Sequence, residues 1–165
     1  SSDLFVPQDV FLFSGNIYDN IRLFNEEISD EEVIKAAKKV YADDIISKFP
    51  EGYNTEILER ATTLSSGEKQ LIALTRAALF DSKIIILDEA TANIDVETEY
   101  LIQKALNELS KEKTIISIAH RLSTVKSSSR ILVIHKGKIV ESGTHNELID
   151  KKGVYFDLYK LQFEN

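Results

Sequence analysis

The fold is decided by the stretch from Leu64 to Asp95, which reads LSSGEKQLIALTRAALFDSKIIILDEATANID. Its Ser65–Glu68 segment has the S-x-x-E pattern of a capping box, and a helical pattern follows it. The wholly apolar run Ile84–Leu87 predicts a buried strand, which ends in two adjacent carboxylates, Asp88 and Glu89. In open parallel sheets, ligands bind beyond the carboxyl ends of the strands. This order of elements is typical of a site for a nucleoside triphosphate and its metal ion.

Most of these motif residues also have a plain structural explanation. A capping box alone accounts for Ser65–Glu68, although the same geometry supplies free N–H groups and a positive dipole end that attract an anion. Asp88 or Glu89 could simply begin the next loop, and Asp95 is expected to be the N-cap of a helix that starts at Val96. For these residues taken singly, the structural and the functional interpretations both stay open.

Two further candidates follow predicted strands. Gln8 lies just after the short strand Leu4–Val6, which Pro7 ends. His120 ends Thr114–Ala119, which we predict to be a second buried strand, and this would bring His120 to the same sheet edge as the two carboxylates. A single His is more often a hydrogen-bonded structural residue than a catalytic one. We interpret the other two histidines, His135 and His145, as structural.

The composition narrows the class of protein. The chain has 165 residues, 43% of them hydrophobic, a net charge of −7 and no Cys. Because the basic residues are scattered in an acidic chain, nucleic acid is not expected as a partner. No run approaches the ~18 apolar residues of a spanning helix. The phosphate-binding pattern G-x-x-x-x-G-K-[ST] does not occur in the sequence, so we expect the chain to hold only part of a nucleotide site.

The remaining pattern separates a mainly helical first half from a βαβ-like second half. Ser29 and Glu32 form a second predicted capping box, which starts a helix toward Val40. The main helix is predicted from about Ser66 to Phe80, and another from Val96 to Ser110. Lys136-Gly137 is a tight hairpin signal, and two short helices are predicted after it.

Taken together, the motifs resemble those of the nucleotide-binding domain of ABC transporters over essentially the whole chain. Five of them stand in family order: the Q-loop and the segment after it (Val6–Asp9 with Phe13–Ile17), the signature motif (Leu64–Glu68), the Walker B strand (Ile84–Glu89), the D-loop (Ala92–Asp95) and the switch-histidine loop (Ile118–Leu122). The order and the intervals make the resemblance specific.

One segment narrows the resemblance to exporter-type transporters. Thr55–Arg60 is similar to the T-E-x-G-E-R segment that precedes the signature in exporters and contacts their transmembrane coupling helices. Here Leu58 replaces the usual Gly, and Ala61 replaces the Gly after the Arg. Both changes restrict the backbone, so the shape of this loop is expected to depart from the family's.

The signature motif also departs from the usual Leu-Ser-Gly-Gly-Gln. Ser66 replaces the first Gly, and Glu68 replaces Gln. Gly67 keeps a close backbone approach to an anion available. An ionised Glu68 aimed at phosphate would repel it, so we expect this side chain to turn toward the backbone as the partner of the cap.

The resemblance implies an α/β fold, namely a partial P-loop NTPase (RecA-like) core with the ABC helical subdomain. Residues 1–80 would hold the Q-loop and the helical subdomain ending in the signature helix, and residues 81–165 the C-terminal part of the ATP-binding core. The implied function is binding and hydrolysis of ATP, with Mg²⁺, to drive export at the cytoplasmic face of a membrane. The isolated chain is expected to be nearly inactive.

The resemblance also implies roles for single residues and partners. Catalysis would rest on Glu89, as general base or water-orienting group, and on His120, which contacts the γ-phosphate. Asp88 and Gln8 would hold Mg²⁺. The implied nucleotide-binding residues are Gln8, Ser65, Ser66, Gly67, Glu68 and Asp95. The implied partners are a second nucleotide-binding domain, whose ATP the signature reaches, and the transmembrane domains of an exporter.

Two alternatives remain open at this point. The chain could be a non-catalytic interaction module, or one half of a degenerate pair that binds ATP without turnover. Glu89 argues against degeneracy in the chain's own site. Ser66 and Glu68 leave degeneracy open for the partner's site. The second alternative is an ABC ATPase of the chromosome-maintenance kind. Those proteins interrupt the domain with long coiled coils, whereas Gln8 and Leu64 here are only 56 positions apart.

Overall fold

The computed structural model describes residues 4–58, 64–89, 94–119 and 125–163. The chain forms two compact units, Ser1–Ile118 and Ala119–Asn165. The described elements of the first unit are β1 (Leu4–Val6), β2 (Gly15–Asn16), α1 (Ile17–Arg22), α2 (Asp30–Lys39), α3 (Asp43–Ile46), a 3₁₀ turn (Gly52–Asn54), β3 (Glu56–Ile57), α4 (Ser66–Leu79), β4 (Ile84–Glu89), α5 (Val96–Leu109) and β5 (Thr114–Ala119). Those of the second unit are β6 (Ile131–His135), β7 (Lys138–Gly143), α6 (His145–Lys151) and α7 (Val154–Phe163).

The helices of the first unit begin where the sequence predicts. Ser29 caps α2 in a full capping box, with its Oγ accepting from the Glu32 N–H at 3.3 Å and the Glu32 carboxylate accepting from the Ser29 N–H at 2.9 Å. The long helix α4 contacts α1, α2 and α5. Its residues Leu71 and Leu74 are almost fully buried in the core of this unit. Helix α4 is therefore the element around which the first unit packs.

A three-stranded sheet with the order β1-β4-β5 supports the candidate site. Strand β1 runs parallel to β4, with Leu4 opposite Ile85 and Val6 opposite Leu87. The start of β5 lies beside the start of β4, because the Thr114 N–H donates to the Lys83 carbonyl at 2.9 Å. The mixed α/β fold with a parallel pair agrees with the predicted fold class.

The two apolar strands differ in burial. In β4, Ile85 and Leu87 are buried, as the sequence predicts. The prediction of a second buried strand is wrong for β5, because Ile116 and Ile118 are 50% and 52% exposed while Ile115 packs against the core. Alternate residues of a strand face opposite sides of the sheet. An unbroken apolar run predicts cover on both sides, and the described residues cover this edge strand on one.

The second unit is built on the predicted hairpin. Strands β6 and β7 pair antiparallel, and Lys136 and Gly137 in the turn both have positive φ, 49° and 74°. Helix α6 starts with a capping box, and its His145 ring nitrogen Nδ1 lies 2.8 Å from the Tyr155 hydroxyl. This contact gives His145 a structural partner, as predicted.

The predicted division of the chain after residue 80 is a division by role and stays a prediction. By contacts, α4 and α5 pack together inside the first unit, on either side of that boundary. Among the helices of the described ranges, none is long and apolar enough to cross a membrane.

Candidate functional site

The sheet brings two distant motifs to one edge. Val6 pairs with Leu87 in a parallel register. Gln8 and the Asp88-Glu89 pair therefore both lie within two residues of the same paired position of the sheet. Asp88 is half-buried and Gln8 is exposed. Glu89 is the last residue of β4. The edge at which the sequence predicts a nucleotide site therefore gathers an amide side chain and a carboxylate that are about 80 positions apart in the chain.

Some predicted residues lie outside the described part of the chain. These are His120, Arg121 and Leu122 of the switch-histidine loop, Ala92 and Asn93 of the D-loop, Glu59 and Arg60 of the exporter-type segment, and Ala61 after it. Of the latter segment, Leu58 is described and is 66% exposed.

The residues at this edge fit a magnesium ion in number and in chemistry. Mg²⁺ is usually held by one or two protein oxygens, with water and substrate phosphates completing its shell. Asp88 offers a carboxylate and Gln8 an amide oxygen at the neighbouring strand. No cluster of three or more His, Cys, Asp or Glu side chains suited to a metal occurs among the residues that the structure describes.

The start of α4 forms a complete capping box. The Glu68 carboxylate accepts from the Ser65 N–H at 2.6 Å, and the Ser65 Oγ accepts from the Glu68 N–H at 3.2 Å. The orientation predicted for Glu68, toward the backbone, is confirmed. The carboxylate is thus engaged at the cap, while Ser66 in the same turn is exposed.

Gly67 is buried against the first turn of α5. A Cβ built on Gly67 would lie 2.4 Å from the Thr98 Cγ2 and 3.0 Å from the Ile94 Cγ2. Real Cβ atoms essentially never approach closer than 3.0 Å, so no other residue fits here without displacement. The sequence suggested a glycine that admits an anion; the packing of α4 on α5 also requires it.

Asp95 is the N-cap of α5, as predicted. Its Oδ1 accepts from the Thr98 N–H at 2.9 Å. This backbone hydrogen bond, followed by one from the Thr98 side chain, lowers the pKa of the exposed Asp95 carboxyl. Asp95 is therefore a carboxylate with a fixed orientation at neutral pH.

A buried polar cluster joins the segment after Gln8 to α4, and the sequence did not predict it. Asn20 of α1 is fully buried; its amide oxygen accepts from the Phe13 N–H at 2.8 Å, and its amide nitrogen donates to the carbonyls of Phe13 and Asn16 at 2.9 and 3.0 Å. Arg76 of α4 donates to the Asn20 carbonyl at 2.8 Å and to the Phe11 carbonyl at 3.2 Å. We call Asn20 and Arg76 the polar brace.

The cationic group of the polar brace, the Arg76 guanidinium, donates mainly to backbone carbonyl oxygens. Burial lowers the pKa of the Arg76 guanidinium to about 10, which leaves it cationic at neutral pH. The only sequence signal for the brace was an Asn at an otherwise apolar helical position, between Ile17 and Ile21 on the buried face. That signal marks a buried amide but does not identify its partner.

Exposed aromatic side chains lie on the segment that the brace holds. The rings of Phe11 and Phe13 meet edge to face at 4.9 Å, and those of Phe13 and Phe24 at 5.9 Å. Their exposed fractions are 61%, 44% and 49% in the order Phe11, Phe13, Phe24. Strand β2, next to these rings, pairs antiparallel with β3 of the exporter-type segment. We call Phe11, Phe13 and Phe24 the aromatic surface.

Comparison with known proteins identifies the family of the chain. A family model described as "ABC transporter" matches residues 4–92. The "Uncharacterized ABC transporter ATP-binding protein YknV" of Bacillus subtilis is 52% identical over 96% of the chain, which covers 26% of that protein. The "Probable multidrug resistance ABC transporter ATP-binding/permease protein YheH" of the same organism is 49% identical over 95% of the chain and 23% of its own length.

A protein of Staphylococcus aureus, named for multidrug export and as an ATP-binding/permease protein, is 48% identical over 95% of the chain and 27% of its own length. The chain thus spans about a quarter of the length of the curated relatives it matches. The family match confirms the P-loop NTPase fold class that the motifs predict. The chain belongs to the ABC transporter family.

Proposed function

We propose that these 165 residues act as the C-terminal part of the ATP-binding cassette of an exporter-type ABC transporter, which hydrolyses ATP to drive transport across a membrane. The observation that carries the proposal is the β1–β4 register, because it brings Gln8 to the strand end that carries Asp88 and Glu89. The names of the relatives, which include multidrug resistance and export, support the exporter class.

Within this site each residue has a proposed role. Glu89 accepts a proton from, or orients, the attacking water, and His120 contacts the γ-phosphate. Asp88 holds Mg²⁺ with the help of Gln8, and the ion supplies charge stabilisation to the phosphates when bound. Phosphoryl transfer depends mainly on positioning and charge stabilisation, so these groups need the phosphate-binding loop to act. We therefore propose that the 165-residue chain by itself is nearly inactive.

The proposed partner for the signature is a second nucleotide-binding domain, in a homodimer or a heterodimer. The start of α4 presents exposed Ser65 and Ser66 at a helix N-terminus, where backbone N–H groups and the helix dipole favour an anion. Because the Glu68 carboxylate is engaged at the cap, it adds little repulsion toward a phosphate there. This geometry supports an active partner site over the degenerate alternative.

The proposed contact with the transmembrane domains is the aromatic surface, at the cytoplasmic face of the membrane. Three half-exposed Phe rings next to the β2–β3 pair form a surface that an apolar helix could cover. Leu58, where exporters usually have Gly, directly follows β3 in the exporter-type segment. Its side chain is 66% exposed and adds apolar surface there.

The test of the catalytic proposal is Glu89→Gln in the natural protein that contains this sequence. We expect ATP hydrolysis to fall by ~10²–10⁴-fold, as for loss of a general base, while ATP binding persists. The matched control is Glu97→Gln, since Glu97 is an exposed carboxylate of α5 whose partner is the exposed Lys48 at 3.0 Å. Near-normal hydrolysis by the Glu89→Gln protein would remove Glu89 from this role.

A further inference from the structure

Thr98 contacts both the D-loop, at Asp95, and the signature motif, at Gly67. It is buried in the first turn of α5, with 6% of its surface exposed. Its backbone N–H donates to the Asp95 Oδ1 at 2.9 Å. Its Cγ2 methyl faces Gly67, where it closes the space that a Cβ would need. One residue thus holds Asp95 of the D-loop through its backbone N–H and faces the signature motif with its methyl.

The contact between Thr98 and Gly67 lies between the N-termini of α5 and α4, and each of these helices has a hydrogen-bonded N-cap. The capping box of Ser65 and Glu68 fixes the first turn of α4. The Asp95 cap fixes the first turn of α5. A Cβ on Gly67 would lie 2.4 Å from the Thr98 Cγ2, so the two turns pack too closely at this point to admit one more methyl group.

We propose that Thr98 is a positioning residue that sets the spacing between the signature motif and the D-loop. The inference rests on the proposed function, in which the signature motif acts on a nucleotide bound by the partner domain. Its backbone N–H holds the Asp95 carboxylate, and its methyl holds the backbone of Gly67 in place.

The first test is a compensating pair in the natural protein that contains this sequence. Gly67→Ala places a methyl 2.4 Å from the Thr98 Cγ2, and Thr98→Ser removes that methyl. We expect Gly67→Ala to lower kcat by about 10- to 100-fold, because a displacement of about 1 Å at a reaction site can cost about 100-fold. The KM for ATP should change less than kcat, because in the proposed function each ATP is bound mainly by its own domain and the signature of the partner completes the site.

The double variant Gly67→Ala/Thr98→Ser should recover at least about threefold in kcat over Gly67→Ala but not the full kcat, because the Ile94 Cγ2 remains at 3.0 Å. A double variant that is no faster than Gly67→Ala alone would overturn the inference. A parallel Glu89→Gln protein separates the two proposals: if it hydrolyses ATP normally, the proposed function fails first. If it is inactive and compensation is absent, only the role of Thr98 fails.

A second variant decides the question if Gly67→Ala does not fold. Thr98→Ser alone removes the methyl that faces Gly67 and keeps the backbone N–H that holds Asp95. We expect kcat to fall about three- to tenfold, because a small displacement at a reaction site lowers kcat, while the KM for ATP changes less. Thr114→Val, at an exposed position of β5, is the control and should keep full activity. An unchanged kcat in Thr98→Ser would overturn the task assigned to the methyl.

Discussion

Replacing Asn20 by Ala removes the centre of the polar brace. The Asn20 side chain makes four hydrogen bonds: to the Phe13 N–H, the carbonyls of Phe13 and Asn16, and the Arg76 guanidinium at 3.4 Å. Each lost hydrogen bond costs a net ~0.5–1.5 kcal/mol, and a buried group left without a partner costs ~1–3 kcal/mol. Phe13 is 44% exposed, so water can replace part of its loss. We therefore expect Asn20→Ala to lower the free energy of unfolding by about 2–4 kcal/mol.

Urea denaturation of the chain, followed by circular dichroism, measures this loss. With a slope of about 2 kcal/mol per molar urea, the midpoint should fall by about 1–2 M at unchanged slope. The matched control is Asn25→Ala, which removes one exposed hydrogen bond, from the Glu27 N–H at 3.0 Å, and should change stability by about 0.5 kcal/mol or less. If Asn20→Ala unfolds at the same urea concentration as Asn25→Ala, the brace does not stabilise the fold.

Three further predictions concern the 165-residue chain. It should bind ATP-Mg²⁺ no more tightly than ~1 mM, about −4 kcal/mol, and micromolar binding in titration calorimetry would contradict the half-site interpretation. The exposed apolar side chains of the edge strand β5, Ile116 and Ile118, should make the chain self-associate, which light scattering measures; a monodisperse, cooperatively unfolding monomer at high concentration would argue against it. Backbone N–H groups lower the pKa values of the capping carboxylates of Glu32, Asp95 and Glu147, so their stabilisation is complete above the ordinary carboxyl pKa of about 4 and is lost as the pH falls through the lowered values. The thermal midpoint should therefore fall on acidification below about pH 4, and a variant with Gln, Asn and Gln at these positions should fall less steeply over the same range.

Features that depend on neighbouring residues were predictable from the sequence. The capping boxes at Ser29, Ser65 and Thr144 each need only a residue and its neighbour three positions on, and the hairpin at Lys136-Gly137 needs only two adjacent residues. The position of Asp88 at the carboxyl edge of the sheet followed from the rule for open parallel sheets, whereas the β1–β4 pairing of the structure is what brings Gln8 to the same edge.

Features that depend on distant residues were not predictable from one sequence. Ile116 and Ile118 have the apolar character of covered residues, and only the sheet order shows that β5 lies at an edge. The brace joins residues 56 positions apart, and the contact of Gly67 with Thr98 depends on how two helices pack. In each case the residue type was visible while its partner was not.

The environment of the Arg76 cation has a consequence for how the packing of α4 depends on ionic strength. Pairs such as Lys48–Glu97 and Lys39–Glu112 lie on the surface, where dissolved ions screen them over a Debye length of about 8 Å in physiological salt. The guanidinium of Arg76 donates mainly to backbone carbonyl oxygens and is largely removed from water. The hold of α4 on the segment beneath the aromatic surface should therefore be as firm in concentrated potassium salt as in dilute buffer, while the surface pairs weaken.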